Sequence, residues 1–234
     1  IHQYSEIIFQ RCIETRRTVK KVLSSLVKKN LGYGFHASGE NLTMEEDSDA
    51  LFRENPSLIL TAFELCQTHN LIPTYQIKRL IKKQTHSLGE IIAKESAIKN
   101  FILSTLKNSN SEKFLRLMHE VGVLGLLLPE YGRAHCRVSY DFYHHYTADE
   151  HSLRMIRFLE ELENKPSSFK EFSESYKQLN SKVLLKLSAF IQPIREKKDP
   201  EDPEGQLNNI LPATAHLDLS TEEIQIIDFL VSDA

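Results

Sequence analysis

Several residue types are scarce in this chain of 234 residues, and each scarcity excludes a class of protein. Tryptophan is absent, and no apolar run approaches the roughly 20 residues that a membrane-spanning helix needs. The three cysteines, Cys12, Cys66 and Cys136, are odd in number and far apart, which indicates neither a disulfide framework nor a CxxC zinc site. The sequence therefore predicts a cytoplasmic protein with no membrane attachment.

The chain also lacks a strong charge of either sign. Its net charge is −3, so no overall field draws it towards nucleic acid or an anionic membrane, and neither partner is expected. Two basic segments, 16–21 and 78–83, are interpreted as solvated helix faces, with an acidic partner as the alternative. The first residues, "IHQYSEIIF", lack a methionine and a signal-peptide pattern, which predicts a fragment of a longer protein.

Helical periodicity is what the sequence has in abundance. Apolar spacing predicts a first helix over 4–31, which the glycines at 32, 34 and 39 end, and an exposed acidic loop over 39–49. Further helices are predicted over 56–70, 74–86, 95–107, 111–120, 144–163, 167–178, 180–191 and, from a capping box at Ser220 and Glu223, the last apolar stretch. No strand is predicted. The expected fold is all-α, with a helical linker region over 1–120 and a compact helical bundle over 121–234.

The most distinctive stretch is "YDFYHHYTADEHSL" at residues 140–153. On a helix, His144 and His151 are two turns apart and share a face, and Asp149 follows His145 by four residues. A histidine oriented by a carboxylate is a common metal ligand. A surface ion pair or a buried hydrogen bond explains the same pattern, and one or two histidines do not suffice for a hydrolytic metal site. Both interpretations remain open at this point.

A resemblance to a known family enters at "GVLGLLLPEYGR" followed by "YDFYHHYTADEHSL". These motifs resemble the bifunctional uridylyltransferase/uridylyl-removing enzymes that modify the nitrogen-signalling protein PII, whose pattern is "GVLGxxxPEFxR" and then "DxxHxYTVDEHTL". The segments "ENPSLILTAFELCQTHNLI" and "HLDLSTEEIQIIDFLV" resemble the family more loosely. The resemblance implies that 1–120 corresponds to the segment between the family's transferase and hydrolase domains. It also implies that 121–234 is an HD-type helical phosphohydrolase domain.

The resemblance assigns one metal ligand to this chain and indicates that other ligands of the family are missing. His151 falls on the family's first ligand histidine, whereas His144, a candidate because it shares a helix face with His151, has no ligand role there. The family's "FHDIAK" helix corresponds to "LLKLSAFIQPIR", where Ile191 and Gln192 stand at the His-Asp pair that bridges the metals. Isoleucine cannot bind a metal, and a neutral glutamine lacks the charge that holds a hard cation. No catalytic residue and no cofactor are therefore predicted.

Other departures point the same way. The family's terminal "LVxxH" is "LVSDA" here, so that Asp233 is at best a substitute ligand, and "DSD" at 47–49 lacks the Gly-Ser turn of a transferase site. The expected function is a degenerate HD-type domain that acts as a scaffold or binding module for a PII-like protein or for other domains of the same polypeptide. One alternative is an active phosphohydrolase that binds a divalent metal through rearranged ligands drawn from His144, His145, Asp149, His151, His216 and the acids of 199–204. The second alternative is a helical interaction module.

Overall fold

The computed structural model describes residues 28–45, 48–92, 97–134, 146–164, 170–192, 217 and 219–232. They belong to two compact units, Ile1–Leu80 and Ile81–Ala234. The described part is predominantly helical and contains one small sheet, which confirms the predicted fold class. Within these residues, no helix combines the length and the apolar character needed to cross a bilayer. The predicted boundary after residue 120 concerns domains of the family, and it stays a prediction.

The first unit contains a four-stranded sheet and two short helices. Strands β1 (Lys28–Gly32), β2 (Phe35–Ser38) and β3 (Asn41–Met44) pair in antiparallel order. Helices α1 (Ser48–Glu54) and α2 (Leu58–His69) then lead to β4 (Ile72–Pro73), which runs parallel to β3. Phe35, Leu42 and Phe52 are fully buried, and the ring of Phe35 meets that of Phe52 edge-on at 6.0 Å.

This sheet corrects the sequence prediction in two places. Residues 28–31 belong to a strand, not to the end of a helix, and residues 41–44 belong to a strand, not to an exposed acidic loop. The turn between β1 and β2 consists of Tyr33 and Gly34, with φ of 54° and 78°, and a two-residue type I′ hairpin turn requires positive φ at both positions. Glycine here makes a hairpin turn instead of ending a helix. Residues 4–27 of the predicted first helix lie outside the described residues.

Helix α3 (Tyr75–Ile92) begins in the first unit and continues into the second. The second unit then contains α4 (Ala97–Lys107), α5 (Ser111–Glu120), α6 (Val123–Leu127), α7 (Pro129–Ala134), α8 (Ala148–Asn164), α9 (Lys170–Gln178), α10 (Lys182–Ile191) and α11 (Thr221–Ser232). The helices predicted between 56 and 191 are confirmed, with one correction at a boundary: the helix predicted from residue 144 begins at Ala148, and residues 146 and 147 are not helical. The capping box is confirmed as well, because Glu223 N–H donates to Ser220 Oγ and Ser220 N–H donates to Glu223 Oε2.

Helix α10 is the central element of the second unit and packs against α4, α8 and α11. Its sequence, KVLLKLSAFI, is apolar around most of its circumference, as expected of a helix that has neighbours on every side. Every residue from Lys186 to Ile191 is buried. Beside it, Leu159 and Leu162 of α8 pack with Tyr176 of α9 and Ala189 of α10.

The motif "GVLGLLLPEYGR" builds a close crossing of α6 and α7. A Cβ atom placed on Gly125 would lie 3.0 Å from the Cα atom of Gly132, so neither position has room for a side chain. Pro129 is the first residue of α7, where its missing N–H and fixed φ suit a helix start. Gly122 precedes α6 with a φ of 81°, a conformation that side chains disfavour. The glycines of this motif therefore have structural roles.

Candidate functional site

His151, which falls on the family's first ligand histidine, lies in the first turn of α8. Its side chain is half-buried, and its N–H donates to the Thr147 carbonyl at 2.9 Å, which continues the helix. His144 lies outside the described residues. The same holds for four other parts of the alternative ligand sets: His145, His216, Asp233 and the acids of 199–204.

Ile191 and Gln192, where the resemblance predicts that two ligands are lost, lie at the end of α10. Ile191 is 1% exposed, and Gln192, directly after the helix, is half-buried. The neighbouring Phe190 stacks on Tyr131 of α7, with ring centres 5.1 Å apart and 10° between the planes. The hydroxyl of Tyr131 in turn donates to the Asp149 carbonyl of α8 at 3.3 Å. Tyr131 therefore joins the end of α10 to the start of α8, the two segments on which the resemblance places metal ligands.

A histidine that the sequence prediction did not single out completes this cluster. His119 of α5 has its Nε2 atom 3.5 Å from Oδ2 of Asp149, and its ring meets that of Tyr131 edge-on at 5.4 Å. The other oxygen of Asp149 accepts from the Glu150 N–H at 3.0 Å. Asp149 is 4% exposed. Its carboxylate contacts His119 of α5 and the backbone of its own helix. We call His119, Tyr131, Asp149 and Phe190 the Tyr131 cluster.

Burial determines the protonation of Tyr131. It raises the pKa of the phenol far above its ordinary value, and the nearby Asp149 raises it further. The phenol consequently stays protonated at neutral pH and remains the donor to the Asp149 carbonyl. Its place between Phe190 and His119 gives it a packing and hydrogen-bonding role.

An ion-pair network fixes the first turns of α8 from outside. Arg116 donates through Nε to Glu112 at 2.7 Å and through its terminal nitrogens to both oxygens of Glu150, at 2.8 and 3.3 Å. Arg154 also donates to Glu150, at 2.9 Å, and its guanidinium lies 3.7 Å from the ring centre of Tyr146. Partial burial acts to raise the pKa of Glu150, but hydrogen bonds from Arg116 and Arg154 outweigh it, and the pKa is lowered. Glu150 is therefore ionised and committed to arginines.

These contacts are a test of whether the described residues suit a metal. Asp149 and His151 are two apart on a helix and so point in different directions, with Asp149 engaged by His119. The buried Ile191 supplies only carbon. Among the described residues, no three His, Cys, Asp or Glu side chains are grouped closely enough to hold a metal ion. This part of the chain does not fit the two-metal centre that the resemblance implies.

The sequence prediction also missed a buried charge in the middle of α10. Lys186 has a side chain 4% exposed and donates to the Asn108 carbonyl at 3.2 Å and to Ser111 Oγ at 3.1 Å. Glu160 of α8 accepts from Ser111 Oγ at 2.5 Å and from the Glu112 N–H at 3.1 Å, with the Lys186 ammonium 3.9 Å away. The available signal was a single lysine within the apolar run "VLLKLSAF".

The remaining sequence candidates are in ordinary surroundings. Asp49 of the "DSD" stretch lies in the first turn of α1, where an acid complements the helix dipole. Of the basic segment 78–83, Arg79, Lys82 and Lys83 are exposed on α3, and the segment 16–21 lies outside the described residues. These positions leave the interpretation as solvated charge in place.

Comparisons with known proteins give one consistent family. Residues 35–127 match the family model described as "Uridylyltransferase GlnD third domain". A bifunctional uridylyltransferase/uridylyl-removing enzyme of Zymomonas mobilis is 27% identical over 196 residues, which cover 80% of this chain and 20% of that protein. The enzyme of the same description from Rhodospirillum rubrum is 27% identical over 223 residues, which cover 93% of this chain and 23% of that protein. The enzyme of the same description from Erythrobacter litoralis is 30% identical over 144 residues, which cover 61% of this chain and 16% of that protein.

The similarity extends beyond the family model, because the longest of these alignments covers 93% of the chain. The chain spans about a fifth of the length of the curated relatives that it matches. Over most of its length the chain is similar to the bifunctional uridylyltransferase/uridylyl-removing enzymes, which confirms the resemblance seen in its motifs.

Proposed function

We propose that residues 121–234 form an HD-type helical domain that no longer performs metal-dependent phosphohydrolysis. In this proposal the chain is part of a longer uridylyltransferase-like signalling protein in the cytoplasm, where it acts as a scaffold or binding module. Its partners are a PII-like signalling protein or other domains of the same polypeptide. Any nucleotidyl transfer comes from a region outside this chain, and no resident cofactor is required.

The side chain at position 191 is the main support for this proposal. Ile191 is 1% exposed in the central helix, at the position that the resemblance assigns to a bridging histidine. Gln192 follows where the resemblance requires a carboxylate. A metal-bound hydroxide needs anionic or imidazole ligands around the metal, and this pair supplies neither.

The retained helical packing supports the scaffold role. The Tyr131 cluster joins α5, α7, α8 and α10 through ring contacts and hydrogen bonds that need no metal. Gly125, a motif residue shared with the family, lies against the backbone of Gly132 and so maintains the close crossing of α6 and α7. The shared signature therefore maintains a helical frame, which can present a surface to a partner without chemistry.

A hydrolysis assay tests the loss of activity. The chain is incubated with bis(4-nitrophenyl) phosphate and with uridylylated PII protein in the presence of Mn²⁺ or Mg²⁺. We expect the rate to equal that of His151→Ala and of the matched control His69→Ala, an exposed histidine on α2. Metal-dependent turnover that His151→Ala abolishes and His69→Ala leaves intact would refute the proposal. That result would favour an active phosphohydrolase with rearranged ligands.

A binding measurement tests the partner. Titration calorimetry of the chain with unmodified and with uridylylated PII protein should show binding to at least one form, with no hydrolysis during the experiment. If neither form binds, a PII-like partner is ruled out, and the choice passes to other domains of the same polypeptide.

A further inference from the structure

Helix α9 is held to the rest of the second unit by a small inner face. Of its 9 residues, Ser173 and Tyr176 are buried, and all the others are exposed. Its main neighbour is α8, and the ring of Tyr176 packs there with Leu159, Leu162 and, on α10, Ala189. A helix is docked chiefly by the apolar surface that it buries. Helix α9 therefore depends on one aromatic ring for its attachment.

Both buried residues of α9 also carry a hydroxyl group that the docked position leaves without a hydrogen bond. Ser173 is 0% exposed and Tyr176 is 2% exposed, and neither hydroxyl has a partner among the described residues. A buried hydroxyl without a partner costs free energy, because it has given up its hydrogen bonds to water. When α9 leaves its neighbours, both hydroxyls regain water. The same two residues that dock the helix thus also favour its release.

Two carboxylates near Tyr176 are engaged elsewhere. Glu163 pairs with Lys182 at 3.0 Å, and Glu160 accepts from Ser111 Oγ at 2.5 Å. Burial, together with the charges of Glu163 and Glu160, raises the pKa of Tyr176 to about 12, so its hydroxyl stays protonated at neutral pH. It remains a donor for which the docked helix supplies no acceptor.

The apolar residues of α9 contribute little to its docking. Phe172, Tyr176 and Leu179 are spaced by four and three residues and so form one stripe. Within this stripe only Tyr176 is buried, whereas Phe172 is 65% exposed and Leu179, directly after the helix, is 44% exposed. The docked position therefore leaves most of the apolar stripe in water and buries the Ser173 hydroxyl instead.

We propose that α9 is a lid, which undocks from α8 and α10 while the rest of the second unit stays folded. Segments with few buried apolar contacts open locally at a lower free energy than that of global unfolding. Undocking uncovers the apolar cluster of Leu159, Leu162 and Ala189. It also removes one wall of a cavity of about 340 Å³ at the start of α10, which is lined in part by Tyr176 and by the turn that follows α9. The lid controls access to the inner faces of α8 and α10, and this property does not depend on the proposed loss of hydrolysis.

Hydrogen–deuterium exchange of the full chain, followed by mass spectrometry of peptic fragments, tests the lid. The amides of α9 should exchange faster than those of α8 and α10, because they open without global unfolding. They should still exchange more slowly than the amides of an unstructured chain, because the docked state predominates. Low concentrations of urea should accelerate exchange in α10 much more than in α9, since local opening exposes less surface than global unfolding.

Removal of either unpaired hydroxyl should keep the lid closed for longer. Tyr176→Phe and Ser173→Ala should each slow exchange in α9 by about tenfold, because the docked state then buries one unpaired hydroxyl fewer. Ser175→Ala is the matched control for Ser173→Ala, because Ser175 is exposed on the same helix and donates to the Glu171 carbonyl at 3.1 Å. Both serine substitutions raise the helix propensity alike, which alone slows exchange by about twofold, so their difference isolates the buried hydroxyl.

Three results would overturn the proposal. Equal exchange in α9 and α10 would show that α9 opens only when the whole unit unfolds. Exchange in α9 at the rate of an unstructured chain would show that the helix is not docked at all. If Tyr176→Phe and Ser173→Ala accelerate exchange, or slow it no more than Ser175→Ala does, the two hydroxyls have acceptors in solution and do not favour release.

Discussion

Truncation of Ile191 tests whether the position that the resemblance assigns to a bridging histidine is part of the core. Ile191 is 1% exposed at the end of the central helix. Removing a fully buried isoleucine side chain to alanine costs about 2–5 kcal/mol, and removing one methyl group to valine costs about 1 kcal/mol. Phe190, stacked on Tyr131 beside it, limits how far the surroundings can collapse into the space. We therefore expect about 3 kcal/mol for Ile191→Ala and about 1 kcal/mol for Ile191→Val.

Gln192→Ala is the matched control at the adjacent position. Gln192 is only half-buried and follows the helix, so its truncation should change stability by less than about 0.5 kcal/mol. Urea unfolding followed by far-UV circular dichroism measures all three variants, and the midpoint should shift at a constant slope. If Ile191→Ala costs no more than Gln192→Ala, position 191 borders an open site, and the interpretation of a filled ligand position is refuted.

Three further predictions concern the packing and charges of the second unit. Gly125→Ala should destabilise the fold by about 1–3 kcal/mol, because its Cβ atom would meet the Gly132 backbone at 3.0 Å, and an unchanged urea midpoint would contradict this crossing. Arg116→Ala and Glu150→Ala should show a coupling of about 1 kcal/mol in a double-mutant cycle at low salt, near the upper end for partly exposed pairs, and a coupling of zero would show that the bidentate contact is absent in solution. Burial raises the pKa of Glu160 above its ordinary 4.5, so its contribution to stability is fully present below pH 4.5 and is lost as pH rises through the folded-state pKa. Glu160→Gln should therefore show a smaller gain in stability than the unsubstituted chain when the pH falls from neutral towards 4.5, as measured by urea unfolding at several pH values, and identical pH profiles would contradict the buried position of this carboxyl.

The helices after residue 55 could be predicted because their apolar spacing is regular. Helix α10 is the strongest case, since "VLLKLSAFI" is apolar on nearly all sides. The sheet was missed because β2 and β3 have only 4 residues each, too short to show alternation. Glycine is common both at the end of a helix and in a hairpin turn, so the residue type of Gly34 does not distinguish the two. The pairing of β1 with β2 shows that Gly34 belongs to a hairpin turn.

The candidate site was harder to predict, because its contacts join distant parts of the chain. From the sequence, Asp149 was paired with His145, four residues earlier on the same predicted helix. His145 lies outside the described residues, and the structure shows Asp149 beside His119 of α5. In the same way, Lys186 meets Ser111 and Asn108, more than 70 residues earlier. Helical spacing predicts neighbours within one helix, whereas partners on other helices follow from packing.

The most direct test of the account is the metal content of the chain. The purified chain is dialysed against Mn²⁺, Fe²⁺, Zn²⁺ or Mg²⁺, and unbound ions are then removed. Bound metal is measured by inductively coupled plasma mass spectrometry, in parallel with the His151→Ala variant. The account predicts far less than one metal ion per chain and the same content in the variant, because Ile191 and Gln192 cannot supply the bridging ligands. One or two ions per chain that are lost in His151→Ala would contradict it.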